Sequence, residues 1–287
     1  MSRLCARHIA VCAGWALCLL LLWSGGRSFA QQDAHYSQYM FNQLSINPAY
    51  AGSRQTIAAD LFYRNQWTGF EGAPVTQAVS FHMPFARKRN GFGLNLVNDE
   101  LGFTQQQWLT ASYAFFIPVG SFRLSLGLRG GVLNYRMNWA DVRAVDVVDE
   151  VFQQNPQNML LPNVGTGMFF SNERFYFGFS VPHILNTAFG ETNPAEELVA
   201  RLYRHYFTTL GYVFGTKGNV QWKPSMLLKF VPGAPIQADL NLMALLKGRY
   251  WVGMSYRTSD ALVFMMDLRV AKMLRLGYAY DYTLSPL

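Results

Sequence analysis

Four histidines remain once a candidate export signal is set aside: His35, His82, His183 and His205. A zinc hydrolase needs a pair at helical spacing beside a carboxylate, as in His-Glu-x-x-His, and no such run is present. The stretch GMSYR (253–257) has the first three letters of a nucleophile elbow. It lacks the second glycine and sits in an alternating pattern rather than at a strand-turn-helix. GFGLNL (91–96) has two glycines but no third and no following helix, so small inward residues of a strand account for it. Asp141, Asp146, Asp149 and Glu150 offer oxygens to calcium, but DVRAVDVVDE does not have the spacing of an EF-hand loop and reads as a solvated connection. All three cysteines (Cys5, Cys12, Cys18) precede residue 31, so the rest of the chain has no thiol for a disulfide, a zinc site or a nucleophile. The expectation is a protein that is not an enzyme, with no catalytic residue, cofactor or metal.

Residues 1–30 read as a secretory signal peptide. Arg3 and Arg7 precede the apolar run IAVCAGWALCLLLLW, and Ser28-Phe29-Ala30 places small residues at the two positions a signal peptidase inspects. Without Arg3, Arg7 and Arg27 the chain has 21 basic residues against 17 acidic and a net charge of +4. No basic cluster interleaves with stacking aromatics, so no nucleic-acid partner is expected. The sequence is 51% hydrophobic and 15% aromatic but only 14% charged, against roughly 25% charged in an ordinary soluble domain. After residue 30 no apolar run approaches the ~20 residues of a membrane helix. That combination points to an all-β protein with much apolar surface.

The elements that must carry such a surface have a period of two. In LRLGYAYDYT (274–283), Leu274, Leu276, Tyr278, Tyr280 and Tyr282 share one strand face, with Arg275, Gly277, Ala279, Asp281 and Thr283 on the other. FRLSLGLRGGV sets Phe122, Leu124, Leu126 and Leu128 against Arg123, Ser125, Gly127 and Arg129. IQADLNLMA and ALVFMMDLRV behave likewise, and about thirteen such segments are visible. Apolar outward and polar inward is the pattern of a transmembrane antiparallel β-barrel, closed because lipid leaves no partner for a free edge. Trp67, Trp108, Trp139, Trp222, Tyr250 and Tyr282 suit interfacial girdles. The inward Arg123, Arg129, Arg257, Arg269 and Arg275 are expected to pair with Asp60, Asp239, Asp267 and Asp281.

Connection lengths agree. PFARKRN, IPVGS, SNERF, TKGN, LKGR and AK are short and polar, as periplasmic turns are. QWTGFEGAP, NDELGF and the longer 137–163 and 183–204 fall at the opposite, outer end. Single-chain bacterial barrels have an even strand count, and no strand is visible after DYTLSPL. The expectation is about 14 strands in the full protein, with the closing strand absent here and the barrel (56–287) C-terminally incomplete.

Ahead of the first strand lies YSQYMFNQLSINPAYAG (36–52), aromatic, rich in amides and uncharged. Such residues hydrogen-bond to a polar wall and still pack, and Pro48 stiffens the turn that enters the barrel. Residues 31–55 are therefore expected to form a lumenal plug or lead-in. Its candidate contacts are Tyr36, Gln38, Tyr39, Phe41 and Asn42, followed by Asn47, Pro48, Ala49 and Tyr50.

HYSQYMFNQLSINPAYAGS resembles the start of the PorP/SprF family of Bacteroidetes outer-membrane proteins of the type IX secretion system. The likeness continues through RNQWTGFEGAP, GFGLNLVNDELG, PSMLLKFVPGAPIQADLN, WVGMSYRTSDA and LGYAYDYTLS. The resemblance implies an outer-membrane component of the secretion and gliding machinery that anchors a surface protein or adhesin. The implied partners are type IX cargo with a C-terminal signal domain, periplasmic or gliding-machinery proteins, and outer-membrane lipid. The alternative is a FadL-like channel for hydrophobic solutes, whose amino-terminal hatch also contains Asn-Pro-Ala. The remainder of the opening motif, GAPIQADLN and GYAYDYT favour PorP/SprF.

Overall fold

Thirteen of the alternating segments pair into one antiparallel sheet. In the computed structural model these lie within residues 37–284; residues 87, 138–157, 186–187, 190–199, 202, 216–217 and 259 are not described. The first run of strands is β1 (Ala58–Asn65), β2 (Val75–Phe85), β3 (Asn90–Leu101), β4 (Thr104–Val119) and β5 (Phe122–Met137). β6 (Asn158–Ser171) and β7 (Phe175–Val181) follow. β8 (Ala188–Phe189) and β9 (Ala200–Arg201) make a separate two-stranded ladder inside the connection to β10 (Tyr206–Tyr212). The sheet ends with β11 (Val220–Phe230), β12 (Gln237–Leu246), β13 (Tyr250–Arg257), β14 (Ala261–Arg269) and β15 (Arg275–Thr283). Apart from the pairing of β7 with β10, each strand of the sheet ladders with its immediate neighbours in the chain.

The two faces separate as the alternation requires. On β5, Ser125 and Arg129 are buried while Leu126 and Leu128 are exposed; on β14, Val263 and Met265 are buried while Phe264 and Met266 face out. An outer surface this apolar suits hydrocarbon rather than water. Among the described residues no helix is long and apolar enough to cross a membrane.

The result is an all-β, barrel-type sheet whose edges, β1 and β15, are not laddered to each other. An odd number of strands makes β1 and β15 run the same way, so antiparallel pairing between them is impossible. Side chains bridge the seam instead. Arg64 Nη2 on β1 donates to Asp281 Oδ2 on β15 at 2.6 Å, and Ser37 Oγ donates to the same oxygen at 2.7 Å.

Three expectations are corrected. NDELGF is not a loop: β3 runs to Leu101 and β4 starts at Thr104, leaving Gly102 (φ +56°) and Phe103 as a two-residue hairpin connection. Residues 158–163 belong to β6 rather than to a loop. Trp108 is not a girdle residue. It shares the inward face of β4 with Thr110 and packs against Leu133, Tyr135 and His183. Trp67, Trp222, Tyr250 and Tyr282 are exposed as the girdle reading requires. The signal peptide, His35, Tyr36, Trp139 and the acidic run from Asp141 to Glu150 lie outside the described residues.

Candidate functional site in the concave face of the sheet

Residues 37–55 have no neighbouring strand to satisfy their backbone, yet most of them are buried. Their peptide groups must therefore find partners in turns or in side chains from the wall. Turns supply the first kind: Phe41 N–H donates to Gln38 O at 3.0 Å, and Asn47 N–H to Gln43 O at 2.8 Å. A 3₁₀ turn follows over Pro48–Tyr50. Pro48 sits at its first position, where a missing N–H costs nothing. Asn47, extended at φ −134° as the residue before proline prefers, caps it by accepting from Ala49 N–H at 2.9 Å.

The wall supplies the rest. Arg129 on β5, nearly fully buried, donates to the carbonyls of Leu44 and Ser45, the latter at 2.9 Å. Arg123, also on β5, reaches Ser53 O at 2.7 Å, and Ser180 Oγ on β7 reaches Ile46 O at 2.7 Å. Asn47 uses its second amide atom to donate to Met168 O on β6 at 3.0 Å. His82 on β2 accepts from Gly52 N–H through Nδ1 at 3.2 Å, which fixes the neutral ring with its proton on the other nitrogen. On the far side Asn241 of β12 donates to the Tyr39 hydroxyl at 2.6 Å. The bonds from the charged Arg129 and Arg123 guanidiniums are worth about 1.5–3 kcal/mol each.

Glycines make the approach possible. A Cβ on Gly127 of β5 would overlap the backbone of Pro48 and Ala49, and one on Gly91 of β3 would overlap the Ala51 carbonyl. Gly167 on β6 and Gly178 on β7 leave room for the Asn47 amide in the same way. The aromatic residues fill what remains. Tyr50 meets Phe169 edge-on at 5.4 Å and His82 at 5.6 Å. Phe41 meets Trp251 at 6.3 Å, with the Arg275 guanidinium 4.7 Å from its ring. Tyr39, Met40 and Ile46 join Phe207, Met243, Val263 and Met265 in an apolar core inside the sheet, so the concave face is not uniformly polar.

The candidate residues therefore fare differently. Tyr39, Phe41, Asn47, Pro48, Ala49 and Tyr50 all contact or approach the wall. Gln38 lies against Gly277 of β15. The Asn42 side chain is buried with neither amide atom bonded among the described residues. The receiving residues Arg129, Arg123, Ser180 and the four glycines were not singled out as contacts. The alternation that puts them inward is their only local signal. Arg123 and Arg129 donate to backbone carbonyls of the segment, and Arg269 is exposed at the end of β14. The expected pairing does hold for Arg257 with Asp239 (3.3 Å) and Arg275 with Asp267 (2.8 Å).

Beside Ser45 and Ile46 lies a cavity of about 60 Å³ lined by Trp108, Phe207, Arg129 and His183. The Asn95 Oδ1 and Thr110 Oγ1 atoms on its wall have no partner among the described residues. His183 and His205 come within 6.3 Å, ring to ring, despite their separation in sequence, and Asn163 bonds His183 Nδ1 at 3.0 Å. No group of three or more potential metal ligands forms among the described residues.

A sheet that carries an N-terminal segment in its concave face and an apolar surface outside sets the frame for comparison with known families. The family model described as type IX secretion system membrane protein PorP/SprF matches residues 28–287. The chain belongs to the PorP/SprF family. Comparison with curated proteins and with solved structures gives no match. For this PorP/SprF protein the matched span takes in residues 37–55 together with every strand that receives them.

Proposed function

We propose that this PorP/SprF protein is a non-enzymatic outer-membrane component of the type IX secretion and gliding machinery. It anchors a secreted surface protein or adhesin, and residues 37–55 act as a fixed plug in its lumen. The observation that carries the reading is the anchoring of the segment's backbone by buried side chains on β5 and β7, with the Asn47 side chain donating to the backbone of β6. A permanently filled barrel is a scaffold rather than a conduit. Its partners would be cargo with a C-terminal signal domain on the outer side and machinery proteins on the periplasmic side. The cavity beside Ile46, at about 60 Å³, is well below the roughly 300 Å³ at which small-molecule pockets begin.

The test is affinity purification of the full-length protein from its own outer membrane in mild detergent, with co-purifying proteins quantified. The expected result is a near-stoichiometric surface protein carrying a type IX signal domain. A barrel recovered alone with a bound apolar solute would overturn the anchor. Protease applied from the periplasmic side should leave residues 37–55 intact; clipping without loss of the barrel would overturn the plug.

A further inference from the structure

The short turns at one end of the sheet are strongly basic. Lys88 and Arg89 lie between β2 and β3, Arg174 between β6 and β7, Lys247 and Arg249 between β12 and β13, and Lys272 between β14 and β15. All six are exposed, and none forms an ion pair among the described residues. The one carboxylate in these four turns is Glu173. Long connections at the other end have the opposite sign. Residues 138–157 hold four acidic residues and one basic by sequence, and Glu71, Glu100 and Asp260 lie at the same end.

Two details say what the basic rim meets. The charges recur around the sheet order, from the second strand to the last, rather than collecting on one side. A protein docks on a patch, whereas lipid surrounds a barrel. Directly above the turns the outward surface carries exposed Phe85, Tyr212, Trp222 and Tyr250, with the Arg249 guanidinium 5.8 Å from the Tyr250 ring. Aromatic rings topped by basic side chains are the arrangement found at a headgroup boundary. Backbone geometry adds a third observation. Lys88 (φ +62°) and Lys247 (φ +50°) occupy left-handed positions that glycine or asparagine would take with less strain, so charge is present where the turn alone disfavours it.

We infer that the short-turn rim binds the anionic headgroups of glycerophospholipids in the leaflet at that end, holding the barrel at a fixed depth and orientation. The inference rests on the membrane placement in the preceding section and not on cargo anchoring. Short turns are periplasmic in such barrels, so the leaflet is the inner one.

The test uses full-length protein in nanodiscs of phosphatidylcholine carrying a trace of spin-labelled phosphatidylglycerol or phosphatidylcholine. At low salt the immobilised fraction should favour phosphatidylglycerol by about fivefold. The preference should fall toward one at 1 M NaCl, where the screening length shrinks to ~3 Å. K88Q/R89Q/R174Q/K247Q/R249Q/K272Q should abolish it, and E71Q/E100Q should leave it unchanged. The salt series on wild-type protein stands alone if the sixfold variant does not fold. Equal association of the two lipids at low salt would overturn the inference. Capture of an acidic periplasmic protein, lost in the sixfold variant while lipids remain unselected, would reassign the rim to a protein partner. Neither result depends on whether cargo co-purifies.

Discussion

On the wall formed by β3, β5, β6 and β7, inward glycines let the backbone of residues 44–52 rest on the strands, with Arg129 and Ser180 donating to its carbonyls and Met168 O accepting from the Asn47 side chain. The facing wall, β12 to β15, meets residues 37–41 mainly with full side chains: Asn241 on Tyr39, Trp251 and Arg275 on Phe41, Asp281 on Ser37, with Gly277 against Gln38 the exception. Behind that contact Arg257 and Asp239 pair at 1% and 2% exposure. Contact through backbone cannot be repacked, because there is no rotamer to change. Side-chain contact tolerates exchange as long as volume and charge balance survive.

Five substitutions break or sharpen that contrast. The largest effect belongs to Arg257→Ala. It removes the buried guanidinium that pairs with Asp239 and also reaches Asp260 and Asp281, and should cost about 3–5 kcal/mol in urea unfolding from micelles. An R257M/D239L double variant should recover most of that loss. Next comes Gly127→Ala, a single methyl pressed into the Pro48–Ala49 backbone; it should cost about 1–3 kcal/mol or unseat the segment, read as new protease cleavage within residues 37–55. Asn47→Ala removes both the cap and the bond to Met168 O, worth about 0.5–2 kcal/mol by the same unfolding assay. On the side-chain wall Met243→Leu should stay under about 1.5 kcal/mol. If it costs as much as Gly127→Ala, the contrast between the walls is wrong. Smallest is Arg64→Gln at the seam: its ion pair is part-exposed, at 19% and 23%, and surface pairs contribute about 0–1 kcal/mol.

The strands were legible because alternation is a local property, and the inward face of β5 could be read letter by letter. What the letters hid is the identity of partners. Arg129 has the same inward sign whether it meets an aspartate or the Leu44 carbonyl, and 85 residues separate it from the latter. Trp108 was misread for a related reason. Its type suits an interface, but its parity on β4 places it inward with Thr110. The hairpin at Gly102 was missed because Asn98, Asp99 and Glu100 are polar enough to read as loop. In the structure they continue the strand, and Asn98 and Glu100 bond to Gln105 and Gln107 across the hairpin. At Asn47-Pro48-Ala49 proline chemistry is local, and the structure has a 3₁₀ turn over Pro48–Tyr50 there; the glycines that receive it were visible only as small inward residues.

Nearly every strand ladders with a neighbour in sequence, so the sheet can grow one hairpin at a time. Residues 37–55 are the exception. Tyr39 waits for Asn241, 202 residues later, and Ser37 for Asp281, 244 residues later. Closing loops of that length costs entropy that only a nearly assembled sheet can offset. The first described residues of the chain are therefore among the last to be satisfied, and their docking reports that β12 and β15 have arrived.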